Sequence, residues 1–145
     1  MKQGIESALR PLRGLPLWAV GRAASLVWFC FGQRRIVRNI RGETREVGEF
    51  ALHLECPWRL IGETGETLAT DQSEVEILTQ LASPALMCSE VIEGQHGELR
   101  LRFAGGQELS VEPDEVDCFE YWRFFRPYSE QPHFVVGSSG INPEG

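Results

Sequence analysis

The chain has 145 residues, of which 42% are apolar and 24% charged. That balance excludes a disordered polymer and gives one domain enough apolar surface to bury a core without disulfides or metals. The net charge of −7 is unevenly divided: residues 1–45 carry nine basic against two acidic side chains (+7), and residues 46–145 carry five arginines against 19 acids (−14). A nucleic acid would have to bind the first third alone while the remainder repelled its phosphates, so no nucleic-acid partner is expected.

Residues 4–13, "GIESALRPLR", begin an amphipathic turn that Pro11, Gly14 and Pro16 stop early, so residues 1–24 read as an N-terminal arm or short helix. The apolar stretch 14–32 is divided by Arg22 into runs shorter than the roughly 20 residues a membrane span needs. The run Leu15–Val20 contains Pro16 and is too short for a signal peptide, so no membrane is expected and the location expected is cytoplasmic. Residues 25–31 form a dense β-branched and aromatic run, read as a buried strand. "RRIVRNIRGETREVGE" mixes charge with isolated Ile and Val and reads as an exposed strand or a long connecting loop.

From residue 48, Phe50, Leu52, Leu54 and Cys56 alternate with Glu49, Ala51, His53 and Glu55, the period of a half-buried strand. Pro57 breaks it, and the phase shifts to Trp58 and Leu60, which implies a bulge or an edge position. Residues 63–74 read as a polar, mobile loop. Residues 74–84 read as a helix capped by Ser73 with Ile77, Leu78 and Leu81 on one face, against the alternative of a loop and a strand. Leu99, Leu101 and Phe103 alternate with charge, Ala104-Gly105-Gly106 supplies a turn, and Leu109 and Val111 resume the alternation, which defines a β-hairpin. "CFEYWRFF" (118–125) and "HFVVG" (133–137) read as two more strands, ahead of a flexible tail at 137–145. The fold class is therefore α+β and mainly β: a single domain whose body, residues 25–136, is an antiparallel sheet of about five to seven strands, a sandwich or partial barrel with one or two short helices.

Chemistry is hard to find. Cys30, Cys56, Cys88 and Cys118 are evenly spread with no CxxC, so reduced core thiols are expected. His53, His96 and His133 sit in three different elements and read as structural. His53 and Cys56 are an odd number of residues apart, which in a strand sends them to opposite faces, so no metal site is expected. Nucleophile-elbow and phosphate-loop motifs are missing, and neither an enzyme nor a cofactor is expected.

In "CFEYWRFF" both faces of the strand are largely apolar, so it is either a covered central strand or one whose outer face meets a partner. The recurring pairs Trp58-Arg59 and Trp122-Arg123 fit neighbouring strands with arginine stacked on tryptophan.

"ALHLECPWRL" (51–60), the hairpin "LRLRFAGGQELSVEP" and "EYWRFFRP" followed by "HFVVGSSGI" resemble a family of small bacterial proteins, most familiar from actinobacteria, whose motifs carry no catalytic role. The hairpin followed by an acidic-aromatic strand is also similar to small immunity-like proteins encoded beside toxins. That resemblance implies a binder that neutralises a partner through an acidic face. The function expected is thus protein–protein binding, to a partner protein or a second copy, with Glu112, Asp114, Glu115, Asp117 and Glu120 steering a basic partner. The alternative is a small-ligand module lined by Trp58, Tyr121 and Trp122, and a hydrolase or transferase using His53 or His133 ranks last. Trp58, Arg59, Asp114, Glu115, Asp117, Glu120, Tyr121, Trp122 and Arg123 are the candidate interface or pocket residues.

Overall fold

The computed structural model describes residues 4–113 and 120–142. The chain enters through α1 (Ile5–Leu9), continued by a 3-10 turn over Arg10–Leu12 that accommodates Pro11. Leu9 and Leu12 are fully buried. A helix this short is not stable alone; it packs against a strand, and its Glu6 N–H donates to the Glu93 carboxylate.

Thirteen strands follow among the described residues. They are β1 (Pro16–Ala23), β2 (Leu26–Phe31), β3 (Arg35–Arg38), β4 (Thr44–Val47), β5 (Phe50–Leu54), β6 (Trp58–Ile61), β7 (Thr67–Thr70), β8 (Leu86–Glu93), β9 (Leu99–Phe103), β10 (Glu108–Val111), β11 (Trp122–Phe125), β12 (Phe134–Gly137) and β13 (Gly140–Asn142). One helical turn, α2 (Val75–Leu78), lies between β7 and β8.

Eleven strands form one antiparallel sheet in the order β13-β12-β11-β5-β2-β1-β8-β9-β10-β6-β7, and β3 and β4 form a separate hairpin. Among the described residues the sheet does not close: β13 and β7 are its free edges. Its halves meet at β1 and β8 through only two residue pairs, Pro16↔Met87 and Leu17↔Leu86.

Alternation sends one side of each strand into a single core shared by both halves: Phe29 and Phe31 of β2, Leu52 and Leu54 of β5, Trp122 of β11, then Trp58 and Leu60 of β6 and Leu99 and Leu101 of β9. Phe29 meets Trp58 edge-to-face with centroids 5.3 Å apart, and the Trp122 indole N–H donates to the Gly97 carbonyl at 2.9 Å. The sheet is thus curled over its own core, with rings from opposite halves in contact. Truncating either ring of the Phe29–Trp58 pair would cost about 3–5 kcal/mol.

Several expectations hold: the strand at 25–31, the hairpin of β9 and β10 with Gly106 at φ +92°, and the mainly β, antiparallel class. The strand count does not. The main sheet has 11 strands rather than five to seven, because most run only three to five residues and leave weak sequence signals. Of the N-terminal arm, residues 5–12 are helical, whereas Pro16–Ala23 is a strand paired along β2, with a bulge at Trp18. Residues 63–74 contain the edge strand β7.

The helix expected at 74–84 is one turn. Ser73 does not cap it; the Ser73 hydroxyl accepts instead from the Thr70 N–H. The break at Pro57 is neither bulge nor edge but the crossing from one half of the sheet to the other, where the Glu55 N–H donates to Tyr121 O and the Glu112 N–H to Pro57 O, both at 2.8 Å. The tail expected from 137 contributes β13. Of the thiols expected in the core, Cys30 and Cys88 are free and buried and Cys56 is buried, whereas Cys118 lies outside the described residues.

Gly48 joins β4 to β5 where the backbone runs against β2: a Cβ there would stand 2.8 Å from Phe31 O and 2.9 Å from Phe31 N. Backbone cannot yield as a side chain can, so Gly48→Ala is expected to lose about 1–3 kcal/mol. Exposed Ile36→Ser should stay within about 0.5 kcal/mol of the parent. Urea unfolding followed by tryptophan fluorescence measures both.

Candidate functional site

The alternation that buries Trp122 and Phe124 turns Arg123 and Phe125 to the outer face of β11. Across the ladder Arg123 stands opposite His53 of β5, and His53 opposite Trp28 of β2. The row continues to Gly21 of β1, which has no side chain because the Trp28 ring occupies that space: a Cβ at Gly21 would lie 2.0 Å from it. His133, just ahead of β12, completes the group.

Arg123 is held by three polar contacts. Its Nε donates to Glu120 Oε2 at 2.8 Å, its Nη2 to Glu120 Oε1 at 2.5 Å, and its Nη1 to His133 Nδ1 at 2.7 Å. A guanidinium only donates, so His133 Nδ1 is the acceptor and its Nε2 carries the proton. The His133 ring stacks on Phe125 at 4.1 Å, and His53 meets the same ring edge-on at 4.7 Å. Arg123 and Glu120 keep 28% and 24% of their side chains exposed, so the group is set into the surface without being sealed. Leu26 and Glu55 join these residues around a concavity of about 380 Å³.

The electrostatics follow from this packing. Burial pushes His53 down to about 4, and the Arg123 guanidinium and His133 act the same way. Burial followed by Arg123 also lowers His133, while the hydrogen bonds from Arg123 lower the Glu120 carboxyl. At neutral pH both imidazoles are uncharged and the Arg–Glu pair is internally compensated. His53 is then an uncharged acceptor near neutrality, and among the described residues no hydroxyl or thiol lines the concavity. Cys88, the thiol nearest to interest elsewhere, is pushed up to about 11 by burial. What the group offers is a preorganised guanidinium framed by aromatic rings.

The residues singled out by sequence divide sharply. Glu120 and Arg123 are in this group. Trp58 and Trp122 are core residues, 1% and 0% exposed. The expected Trp-Arg stacking across neighbouring strands is absent: β6 and β11 are far apart in the sheet order, and alternation turns each tryptophan inward and its arginine outward. Arg59 instead makes a two-bond pair with Glu112, at 2.9 and 3.0 Å. Cation–π contacts among the described residues include Arg34 over Trp18, Arg35 over Tyr128 and Arg126 over Phe50.

Tyr121 lines a larger concavity of about 850 Å³ with His96, Ser138 and Ser139. Asp114, Glu115 and Asp117 lie outside the described residues. The site also uses His53 and His133, which read as structural in the sequence, and Phe125, which the sequence did not single out. The usable signal was His53 pointing out of phase with its apolar neighbours. Among the described residues no group of three or more His, Cys, Asp or Glu side chains could hold a metal, and no helix is long and apolar enough to cross a membrane. Comparison with family models, curated proteins and solved structures finds no match to this chain.

Both imidazoles resist protonation in the folded protein but take a proton near pH 6.5 when unfolded. Their contribution to stability is therefore complete above about pH 6.5 and is lost as pH falls towards 4. Because these rings are partly solvated, the loss should be about 1–2 kcal/mol. His53→Gln is expected to flatten that slope in urea midpoints taken between pH 7 and 4.5, and proton NMR should show the His53 ring titrating near 4.

Proposed function

We propose that this protein is a binding protein without chemistry of its own, which engages a basic protein partner through the outer face of β11 and β5. The observation that carries the reading is Arg123, fixed by Glu120 and His133 beside Phe125 and His53. Arginine and aromatic side chains supply most of the energy at protein interfaces, and a guanidinium already locked in place loses little freedom on binding. The charge of −14 beyond residue 45, including Asp114, Glu115 and Asp117 just ahead of Glu120 in sequence, would steer a basic partner towards it. Glu112 contributes less than its sequence position implied, because Arg59 compensates it. The reading agrees with the resemblance to immunity-like proteins and with a cytoplasmic setting, where the free thiols Cys30 and Cys88 stay reduced.

The concavity beside Tyr121 supports a second reading. Its volume of about 850 Å³ falls within the range of small-ligand sites, roughly 300–1,000 Å³. The Trp122 indole donates to Gly97, which lines it, so ligand entry there should change tryptophan fluorescence.

The native protein, tagged and used as bait in lysate of its own host, should retain one stoichiometric protein at low salt and lose it at high salt. Phe125→Ala with Arg123→Ala should weaken that complex about thirtyfold or more, the effect of losing roughly 2 kcal/mol at a hot spot. Asp114→Ala, Glu115→Ala and Asp117→Ala together should chiefly slow association and flatten its salt dependence. Retention unaffected by all five substitutions would reject the proposed face.

A further inference from the structure

Six large apolar side chains are strongly exposed among the described residues, and five of them fall on two short segments of opposite charge. The first segment is the β3–β4 hairpin. Ile36 and Ile40 are 76% and 105% exposed there, among Arg34, Arg35, Arg38, Arg41 and Arg45. The second runs from β7 through α2. Leu68, Val75 and Ile77 are 42%, 42% and 46% exposed, among the exposed acids Glu63, Glu66, Glu74 and Glu76, and residues 62–78 contain no basic side chain.

We infer that the chain associates with a second copy of itself, the β3–β4 hairpin of one copy seating on the β7–α2 segment of the other. Three independent features agree. Each segment has an apolar centre with a charged surround, the anatomy of a protein interface, whereas phosphate binding would call for no isoleucines at the centre. The surrounds are complementary: the hairpin carries five arginines against Glu43 and Glu46, of which Glu46 pairs with Arg34, while the other segment carries four exposed glutamates and no basic side chain, and among the described residues Arg38 and Arg41 make no ion pair within their own chain. The backbones also match: β7 is a free edge of the main sheet, and the hairpin joins no strand of that sheet. β7 carries neither lysine nor proline to discourage pairing, so a hairpin strand can add to it. Two copies related by a twofold axis make both contacts at once, which closes the assembly as a dimer.

The test needs only the purified protein. Sedimentation velocity at about 50 mM and about 500 mM salt, either side of effective charge screening, should show a dimer at low salt that dissociates at high salt. Ile36→Ser with Ile40→Ser should weaken the dimer at least about tenfold, and so should Arg38→Glu with Arg41→Glu. All four positions are exposed, so circular dichroism should be unchanged. Adding Glu74→Arg and Glu76→Arg to the arginine-reversed chain should restore the dimer, which nonspecific loss of solubility or folding would not do. A monomer in all salts, or a dimer indifferent to the reversals, would overturn the inference.

Discussion

Everything in this fold depends on how two half-sheets are held together along a short backbone seam. β1 and β8 share two residue pairs, extended by the backbone bonds between Gly14, Leu15 and Cys88, a seam confined to one end of each strand. Side chains hold the rest. Phe29 on one half and Trp58 on the other meet at 5.3 Å, and Trp122 reaches across to Gly97. Burial without direction would leave the halves free to slide; the indole hydrogen bond adds the direction, since any slip leaves a buried donor and acceptor unpaired. The crossing at residues 55–57 is pinned from both sides, by Tyr121 O on Glu55 and Glu112 on Pro57 O. Because Glu55, Glu120 and Arg123 lie within three residues of those pins, core packing on the inner face sets the geometry of the site on the outer one.

The legibility of the sequence follows the same division between local and distant interactions. The β9–β10 hairpin was plain because its partners are neighbours in the chain and one face is wet, so alternation and turn chemistry both appear within 13 residues. β1 was obscured for the opposite reason. Its pairing with β2 is local, but Pro16, Gly21 and Arg22 break the apolar pattern: Gly21 makes room for Trp28, and Arg22 reaches the Asp71 carbonyl. β7 and β13 read as loop and tail because an edge strand of three or four residues with one large apolar side chain, Leu68 or Ile141, shows no alternation to set it apart from a turn. The inward or outward phase of His53, Trp58 and Arg123 was recoverable. Which outward residues would meet was not, because the register placing His53 opposite Arg123 joins positions 70 residues apart in the chain.

That failure explains why the tryptophans drew attention and the histidines did not. A Trp-Arg pair looks like a recognition surface in sequence, yet in a strand adjacent residues never share a face, so such a pair is split between core and solvent. Trp58 and Trp122 went to the core, where their area has most effect, and Arg59 and Arg123 went out to different carboxylates. The Arg123 group arises instead between residues on different strands that share a phase.

The same logic distinguishes two kinds of surface charge in this protein. Arg59, Arg102 and Arg123 are all answered within the chain, by Glu112, by Glu90 and Glu108, and by Glu120. Such pairs add little to stability when solvated, but they lock side chains and cancel the local field. Arg38, Arg41 and Arg45 of the hairpin and the carboxylates around α2 are arranged the other way: the hairpin keeps a basic excess over Glu43 and Glu46, the α2 segment is acidic throughout, and each field extends to about a Debye length before salt screens it. Charges that served only solubility could be mixed in sign, as they are around Arg102. Segregating them, and setting isoleucine, leucine and valine among them, carries a standing risk of aggregation that a covered surface would not. That combination is the cost the inferred dimer would offset, because each segment would cover the apolar centre of the other.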